Sequence, residues 1–243
     1  MAAPPDFSRV NLHRDTVDQF REVLKHFDIA FLIDNSASMA GTPWSEALIA
    51  LKSLLDPCIS QDADGVDVYF FNESHPVHEP TGWLGQKTVE SVQNIFHKAQ
   101  QAESNKALAA ARFRDILSPY VNRCETPGNA VKPLILIVIT DGKTDNLVPV
   151  ITDFADRLHA AEAPRHQLGI TFFRVGDNDT GRAILEFLDG GLDDRCNRDI
   201  VKTTTFDTEE DGVKALSTKG LWNTLLGSVI PGFDEERQVS IEV

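Results

Sequence analysis

Asp34, Ser36 and Ser38 place a carboxylate and two hydroxyls at alternate positions directly after the apolar residues 29–33. Hard oxygen donors from one tight loop suit Mg²⁺, an ion that keeps several waters and takes few protein ligands. A second carboxylate, Asp141, follows the apolar run 133–139 within Thr140-Asp141-Gly142. Neither run alternates with polar residues, so each reads as a parallel strand buried on both faces. Open α/β sheets bind ligands at the carboxyl ends of their strands. Right-handed crossovers bring those ends to one edge, so Asp34, Ser36, Ser38 and Asp141 are expected to converge despite their separation in sequence.

The elements that position them can be read from periodicity. Val17, Phe20, Val23, Leu24 and Phe27 recur at helical spacing, predicting a helix over 15–27 ahead of the first strand. After the serine loop, Thr42 reads as the cap of a helix with Pro43 first and Glu46 in its first turn, ending near Asp56-Pro57. Further strands are expected at 66–71, 168–175 and 199–206, with a short edge strand around Val77. Helices fall between them: 89–99, 109–120 (bent or stopped by Pro119), 151–161, 183–188 and 221–229. Strands alternating with amphipathic helices predict an α/β fold: a doubly wound, mostly parallel open sheet of about six strands with helices on both faces. The expected division is a lead-in and helix at 1–27, one domain at 28–230 and a tail at 231–243.

Composition excludes several classes of function. With 42% hydrophobic and 25% charged residues, the 243-residue chain is ordinary for a soluble globular protein. Its net charge of -14 argues against binding nucleic acid or an anionic membrane, both of which require clustered Lys and Arg. Acidic groups at 207–211 and 234–236 read as solvated loops. Cys58, Cys124 and Cys196 are scattered and form no C-x-x-C pair, so a zinc cluster or redox pair is not expected. Sparse, odd cysteines fit a reducing compartment. The N-terminus lacks the basic and apolar regions of a secretory signal, and no apolar run is long enough to span a membrane. The expected location is cytoplasmic. His75 and His78 sit in a polar loop with no fixed helical geometry to aim both at one ion.

The residues 31–39 (Phe-Leu-Ile-Asp34-Asn-Ser36-Ala-Ser38-Met) together with Val138-Ile-Thr-Asp141-Gly142 resemble the von Willebrand factor type A domain and its metal-ion-dependent adhesion site. The resemblance covers roughly residues 28–230 and is supported by 62–71, 131–134 and 169–176; in flavour it is nearest the intracellular, single-domain fungal members. It implies a protein-binding module, not an enzyme. Ser36 and Ser38 would ligate Mg²⁺ (or Mn²⁺ or Ca²⁺) through their hydroxyls. Asp34 and Asp141 would hold the ion directly or through water, and an acidic residue of a protein partner would complete the octahedron. One position departs from the family pattern. Members place a threonine from a further loop on the metal, and alignment on Ile116-Leu117 puts that position at Ala107. Ser104, Asn105 or water is left to fill it, or the loop is a metal-free scaffold that hydrogen-bonds its own backbone.

A Mg²⁺-dependent hydrolase or phosphotransfer enzyme using the same carboxylates is the alternative. Its expected signatures are missing. Position 36 is Ser where a phosphatase built on Asp34 would want a second carboxylate. Gly176-Asp-Asn-Asp-Thr-Gly181-Arg182-Ala183 imitates a phosphate loop but has Arg for Lys and Ala for the metal-binding hydroxyl. No G-x-S-x-G occurs.

Overall fold

Two apolar runs form the centre of the sheet. In the computed structural model, which describes residues 16–72, 82–99, 108–144, 146–192 and 196–230, Asp28–Ile33 (β1) pairs in parallel with the strand Leu134–Thr140, and Ile33 lies opposite Ile139. In chain order the remaining strands of this sheet are Val66–Phe70 (β2), Trp83–Gln86 (β3), then Leu134–Thr140 (β4), Leu168–Arg174 (β5) and Val201–Thr205 (β6). Their spatial order is β3-β2-β1-β4-β5-β6, all parallel except β3. The order reverses between β1 and β4, which is where a doubly wound sheet opens a crevice at its carboxyl edge.

The helices are Val17–Leu24 (α1), Thr42–Gln61 (α2), Val89–Lys98 (α3), Ala109–Cys124 (α4), Val148–Ala160 (α5), Asp179–Gly190 (α6) and Thr218–Leu226 (α7). Side chains of a strand alternate between faces, so each central strand feeds two cores. Ile29, Phe31, Ile33, Ile135, Ile137 and Ile139 pack under α1, α2, α3 and α7. Ala30, Leu32, Leu134, Leu136, Val138 and Phe172 pack under α4, α5 and α6. Burial on both faces is the reason these strands are apolar throughout. Phe20 of α1 lies 5.3 Å from Trp222 of α7, ring centre to ring centre, which ties the first helix into the same core.

Several elements differ from the sequence reading, each for a physical reason. The first helix is shorter than 15–27. Thr16 caps it in a reciprocal box with Gln19, and the chain turns at 25–27 before β1. Gly41, not Thr42, is the cap of α2, at φ +81°. That helix passes through Pro57 to Gln61, and α4 passes through Pro119 to Cys124. A proline inside a helix costs about 3 kcal/mol. Leu54, Leu55, Pro57 and Cys58 are all buried, as are Leu117, Tyr120 and Val121, and burial of that order outweighs the penalty. The edge strand anticipated around Val77 lies outside the described residues. Beside β2 the described edge strand is β3, entered at Gly82, where a Cβ would stand 2.4 Å from the Tyr69 ring. The acidic stretch 207–211 is not wholly loop: Thr208–Glu210 (β7) and Val213–Ala215 (β8) form an antiparallel hairpin. Asp211 and Gly212 turn it with φ +50° and +78°, the left-handed pair that an Asp-Gly hairpin turn requires.

The β6 edge is covered by carboxylates. Asp199 accepts the Val201 N–H at 3.1 Å, and Asp189 accepts the Thr203 N–H at 2.9 Å. Those two donors are thereby withheld from a further strand.

Ile137 is fully buried between the two helical layers, whereas Leu84 on β3 is 53% exposed. Ile137→Ala is expected to lower unfolding free energy by about 2–5 kcal/mol. Leu84→Ala should change it by less than about 0.5 kcal/mol. Urea denaturation of both variants with unchanged slope would verify the contrast.

Candidate metal centre at the carboxyl edge

The site begins where β1 runs out of pairing. Asp34 still donates its N–H to the Ile139 carbonyl at 2.9 Å, and its side chain then turns back over the β1–β4 seam. One carboxylate oxygen accepts the Ser36 N–H at 2.9 Å; the other accepts the Thr140 hydroxyl at 2.7 Å. Thr140 Oγ1 in turn accepts the Gly142 N–H at 3.0 Å. The two strand-end loops are therefore joined through one threonine, and Asp34 is wholly buried. Beyond Ser36 the chain makes a single 3₁₀ turn, Ala37–Met39, with Met39 sunk in the core. The turn brings Ser36 Oγ and Ser38 Oγ to 3.1 Å from one another.

Asp141 is held from the other side. Its Oδ1 accepts the Lys143 N–H at 3.0 Å, and Oδ2 lies 3.8 Å from the Lys143 ammonium. Gly142 adopts φ +85°, and the first turn of α6 presses on this loop so closely that a Cβ on Gly181 would stand 2.0 Å from the Asp141 carbonyl oxygen. Glycine at 181 is thus required by a backbone approach. The Gly176–Gly181 stretch, which imitates a phosphate loop in sequence, here serves packing. Asn35 reinforces the same edge: its amide donates to the Asn72 carbonyl at 2.9 Å and accepts the Asn72 N–H at 2.8 Å.

The electrostatics of this edge are unbalanced. Burial raises the Asp34 pKa above its ordinary value of 3.8, the hydrogen bonds from Ser36 and Thr140 oppose the rise, and the negative charge of Asp141 adds to it. An ionised Asp34 next to a second carboxylate lacks a full counter-charge. Two carboxylates and two hydroxyls facing one edge, one carboxylate buried and destabilised by the other, form a donor set that fits a hard divalent cation. The four residues expected to converge are thus linked: Asp34 to Ser36 and Ser36 to Ser38 by hydrogen bonds, and Asp34 to Asp141 by charge and through Thr140. Ser104, Asn105, Ala107, His75 and His78 lie outside the described residues.

Sequence reasoning missed Thr140, Asn35 and Glu46 as parts of this edge. Thr140 carried a signal, being the one hydroxyl in the buried strand 134–140. Glu46 read only as a first-turn residue of its helix; it is buried and accepts the Gly176 N–H at 2.6 Å. A second acidic group, Asp28, Asp62 and Asp64, gathers its carboxylate oxygens within 4.8 Å near the amino end of β1. Lys132 already supplies a cation there, 2.8 Å from Asp28 and 3.2 Å from Asp62.

With this geometry in place, comparison with known proteins defines the class. The von Willebrand factor type A domain family matches residues 28–209, and the chain belongs to that family. Among curated proteins it is similar to the collagen alpha-5(VI) chain of Mus musculus, with 29% identity over 149 residues. That match takes in 60% of this chain and only 5% of the collagen chain. Among solved structures it is similar to proximal thread matrix protein 1 of the mussel byssus, at 18% identity and TM-score 0.44, covering 74% of this chain and 44% of the other. A manganese-loaded Plasmodium vivax TRAP protein aligns at 13% identity and TM-score 0.46, covering 86% and 74%.

The Asp34 shift has a definite sign. Its raised pKa means that ionisation is easier in the unfolded chain. Relative to Asp34→Asn, the metal-free wild type keeps its full stability below about pH 3.8 and loses it as pH rises through the raised value. Melting temperatures of both proteins in chelator, from pH 4 to 7, should therefore show wild type losing ground to Asp34→Asn with increasing pH.

Proposed function

We propose that the carboxyl edge binds a divalent cation of the Mg²⁺ type and that the chain uses it to recognise a protein partner through a carboxylate. The observation that carries this reading is the meeting of Asp34, Ser36, Ser38 and Asp141 at the β1–β4 switch point, with the two serine hydroxyls 3.1 Å apart. Ser36 and Ser38 would ligate through their hydroxyls, and Asp34 and Asp141 would hold the ion directly or through water. When bound, the ion supplies a positive charge that two neutral hydroxyls leave partly uncompensated, and this favours an incoming carboxylate. Thr140 keeps Asp34 aimed at the edge, and the 3₁₀ turn keeps the hydroxyls together. The reading is of a binding module, not an enzyme, and residues 28–230 are proposed as the domain that carries it.

A cytoplasmic location is part of the proposal. Cys58 is a fully buried free thiol and Cys124 is a free thiol as well, which fits a reducing compartment. Among the described residues no helix is long and apolar enough to cross a membrane. The net charge of -14 supports a partner other than nucleic acid or an anionic membrane surface.

Calorimetric titration with Mn²⁺ and Mg²⁺ tests the reading. Metal at a hundredfold excess over its dissociation constant should stabilise the wild type by about 2.7 kcal/mol, and Ser38→Ala and Asp141→Asn should abolish the heat of binding. An unchanged melting temperature at millimolar metal would sink it. Lys143→Gln removes a cation from beside Asp141 and should tighten Mn²⁺ binding, with a gain that shrinks as salt rises. Ala107→Thr, by adding the hydroxyl that the family places on the metal, should tighten it without a change in charge.

A further inference from the structure

The start of α2, which carries the serine loop into the helix, has no side-chain cap: Gly41 occupies the capping position and offers no side-chain acceptor. The helix start is held by other means. Pro43 packs against Gly176, where a Cβ would come within 3.0 Å of the proline ring. One turn on, Glu46 accepts the Gly176 N–H through one oxygen. Its other oxygen lies 3.0 Å from the ammonium of Lys214, which also reaches Asp177 at 3.0 Å. The Glu46 side chain is 9% exposed, and that of Asp177 is 88% exposed. Lys214 therefore closes a buried carboxylate on one side and meets only a solvated one on the other.

Lys214 comes from β8, a part of the chain that is itself firmly mounted. Phe206, before the hairpin, meets Phe173 edge-on at 5.0 Å. Leu216, after it, packs against the core on the side of the sheet that α2 covers. Asp207 accepts the Ser217 N–H at 2.7 Å and bonds the Ser217 hydroxyl, pinching the two ends of the hairpin together. Ser217 then caps α7. A lysine projecting from so fixed a base acts as a strut and not as a mobile surface charge.

We propose that Lys214 is a positioning residue for the serine loop: by neutralising Glu46 it clamps the first turns of α2 to the β5–α6 connection, and the clamp sets where Ser36 and Ser38 stand. Its consequence for metal affinity rests on the function proposed above. Removing Lys214 leaves the Glu46 carboxylate buried with one backbone donor, and a buried charge that loses its partner is strongly disfavoured. The nearest relief is displacement of α2 at its uncapped start, and the 3₁₀ turn 37–39 is joined directly to that start.

Backbone hydrogen exchange on the full chain, without metal, tests the clamp. The Met39 and Ala40 amides close the 3₁₀ turn onto Ser36 and Ala37, and α5 on the far face is the internal control. In Lys214→Met the Met39 and Ala40 amides should exchange about tenfold faster while those of α5 keep their wild-type rates, because the opening is local. Lys214→Arg should restore the slow rate. The double variant Lys214→Met/Glu46→Gln, which keeps an acceptor for Gly176 but strands no buried charge, should return the Met39 and Ala40 amides toward the wild-type rate, and this decides the matter should Lys214→Met alone not fold. Acceleration shared equally by α5, or none at either place, overturns the proposal. Mn²⁺ titration then separates the two readings. Wild type that takes up no Mn²⁺ removes the metal centre and with it the role of Lys214 in metal affinity, while exchange still judges the clamp. Wild type and Lys214→Met binding Mn²⁺ equally tightly would overturn the link between strut and site. A severalfold weaker affinity in Lys214→Met, recovered in Lys214→Arg, is the expected result.

Discussion

The parallel seam between β1 and β4 is the constraint on which the rest of this molecule depends. Its register sets Ile33 beside Ile139, so Asp34 and Thr140 leave the two strands at the same height and meet across the seam at 2.7 Å. Both strands are buried on both faces, which obliges helices to cover each side and forces every connection out to one end or the other. A polar side chain at such a strand end is surrounded by apolar layers below and loops above. Asp34 is wholly buried as a result, and its charge becomes expensive unless something cationic approaches.

The molecule meets that problem in two ways at its two edges. At the amino edge, Asp28 and Asp62 share the ammonium of Lys132. Burial of the Asp62 carboxyl still raises its pKa, but Lys132 opposes the rise. At the carboxyl edge the Lys143 ammonium stands 3.8 Å from Asp141 on a side chain that is 54% exposed. Burial and the negative charge of Asp141 raise the Asp34 pKa, and among the described residues only neutral hydrogen-bond donors, Ser36 and Thr140, oppose them. The chain thus neutralises one acidic cluster internally and leaves the other open to an external charge. That asymmetry, more than the presence of carboxylates, favours the proposed cation at Asp34, Ser36, Ser38 and Asp141.

The loops around this edge are held by contacts that no single element supplies. Gly181 of α6 lies against the backbone of Asp141. Asn35 spans from the β1 end to the β2 end. Glu46 joins α2 to the end of β5, and Lys214 ties both to the hairpin ahead of α7. Among the described residues, the strand-end segments near the serines are thus braced by neighbours, which is the arrangement a preorganised site needs.

The sequence by itself determined the strand centres, the two-sided burial and the carboxyl-edge position of Asp34, Ser36, Ser38 and Asp141. Uninterrupted apolar runs can only be buried strands or helices, and their short length with a polar break decides for strands. Those features are local, so local pattern reveals them. What only the tertiary structure decided depends on partners distant along the chain. Pro57 and Pro119 stay inside helices because buried neighbours hold the following turns. β3 forms at 83–86 because Gly82 lets the backbone run against Tyr69. The Asp211-Gly212 turn was legible as a hairpin signal, yet the flanking Glu209 and Glu210 made the stretch read as solvated loop. Thr140, Glu46 and Lys214 find their partners in other elements, at Asp34, Gly176 and Glu46. Propensity and periodicity describe a residue's own neighbours in sequence, whereas a hydrogen bond across a sheet edge is set by strand order and register.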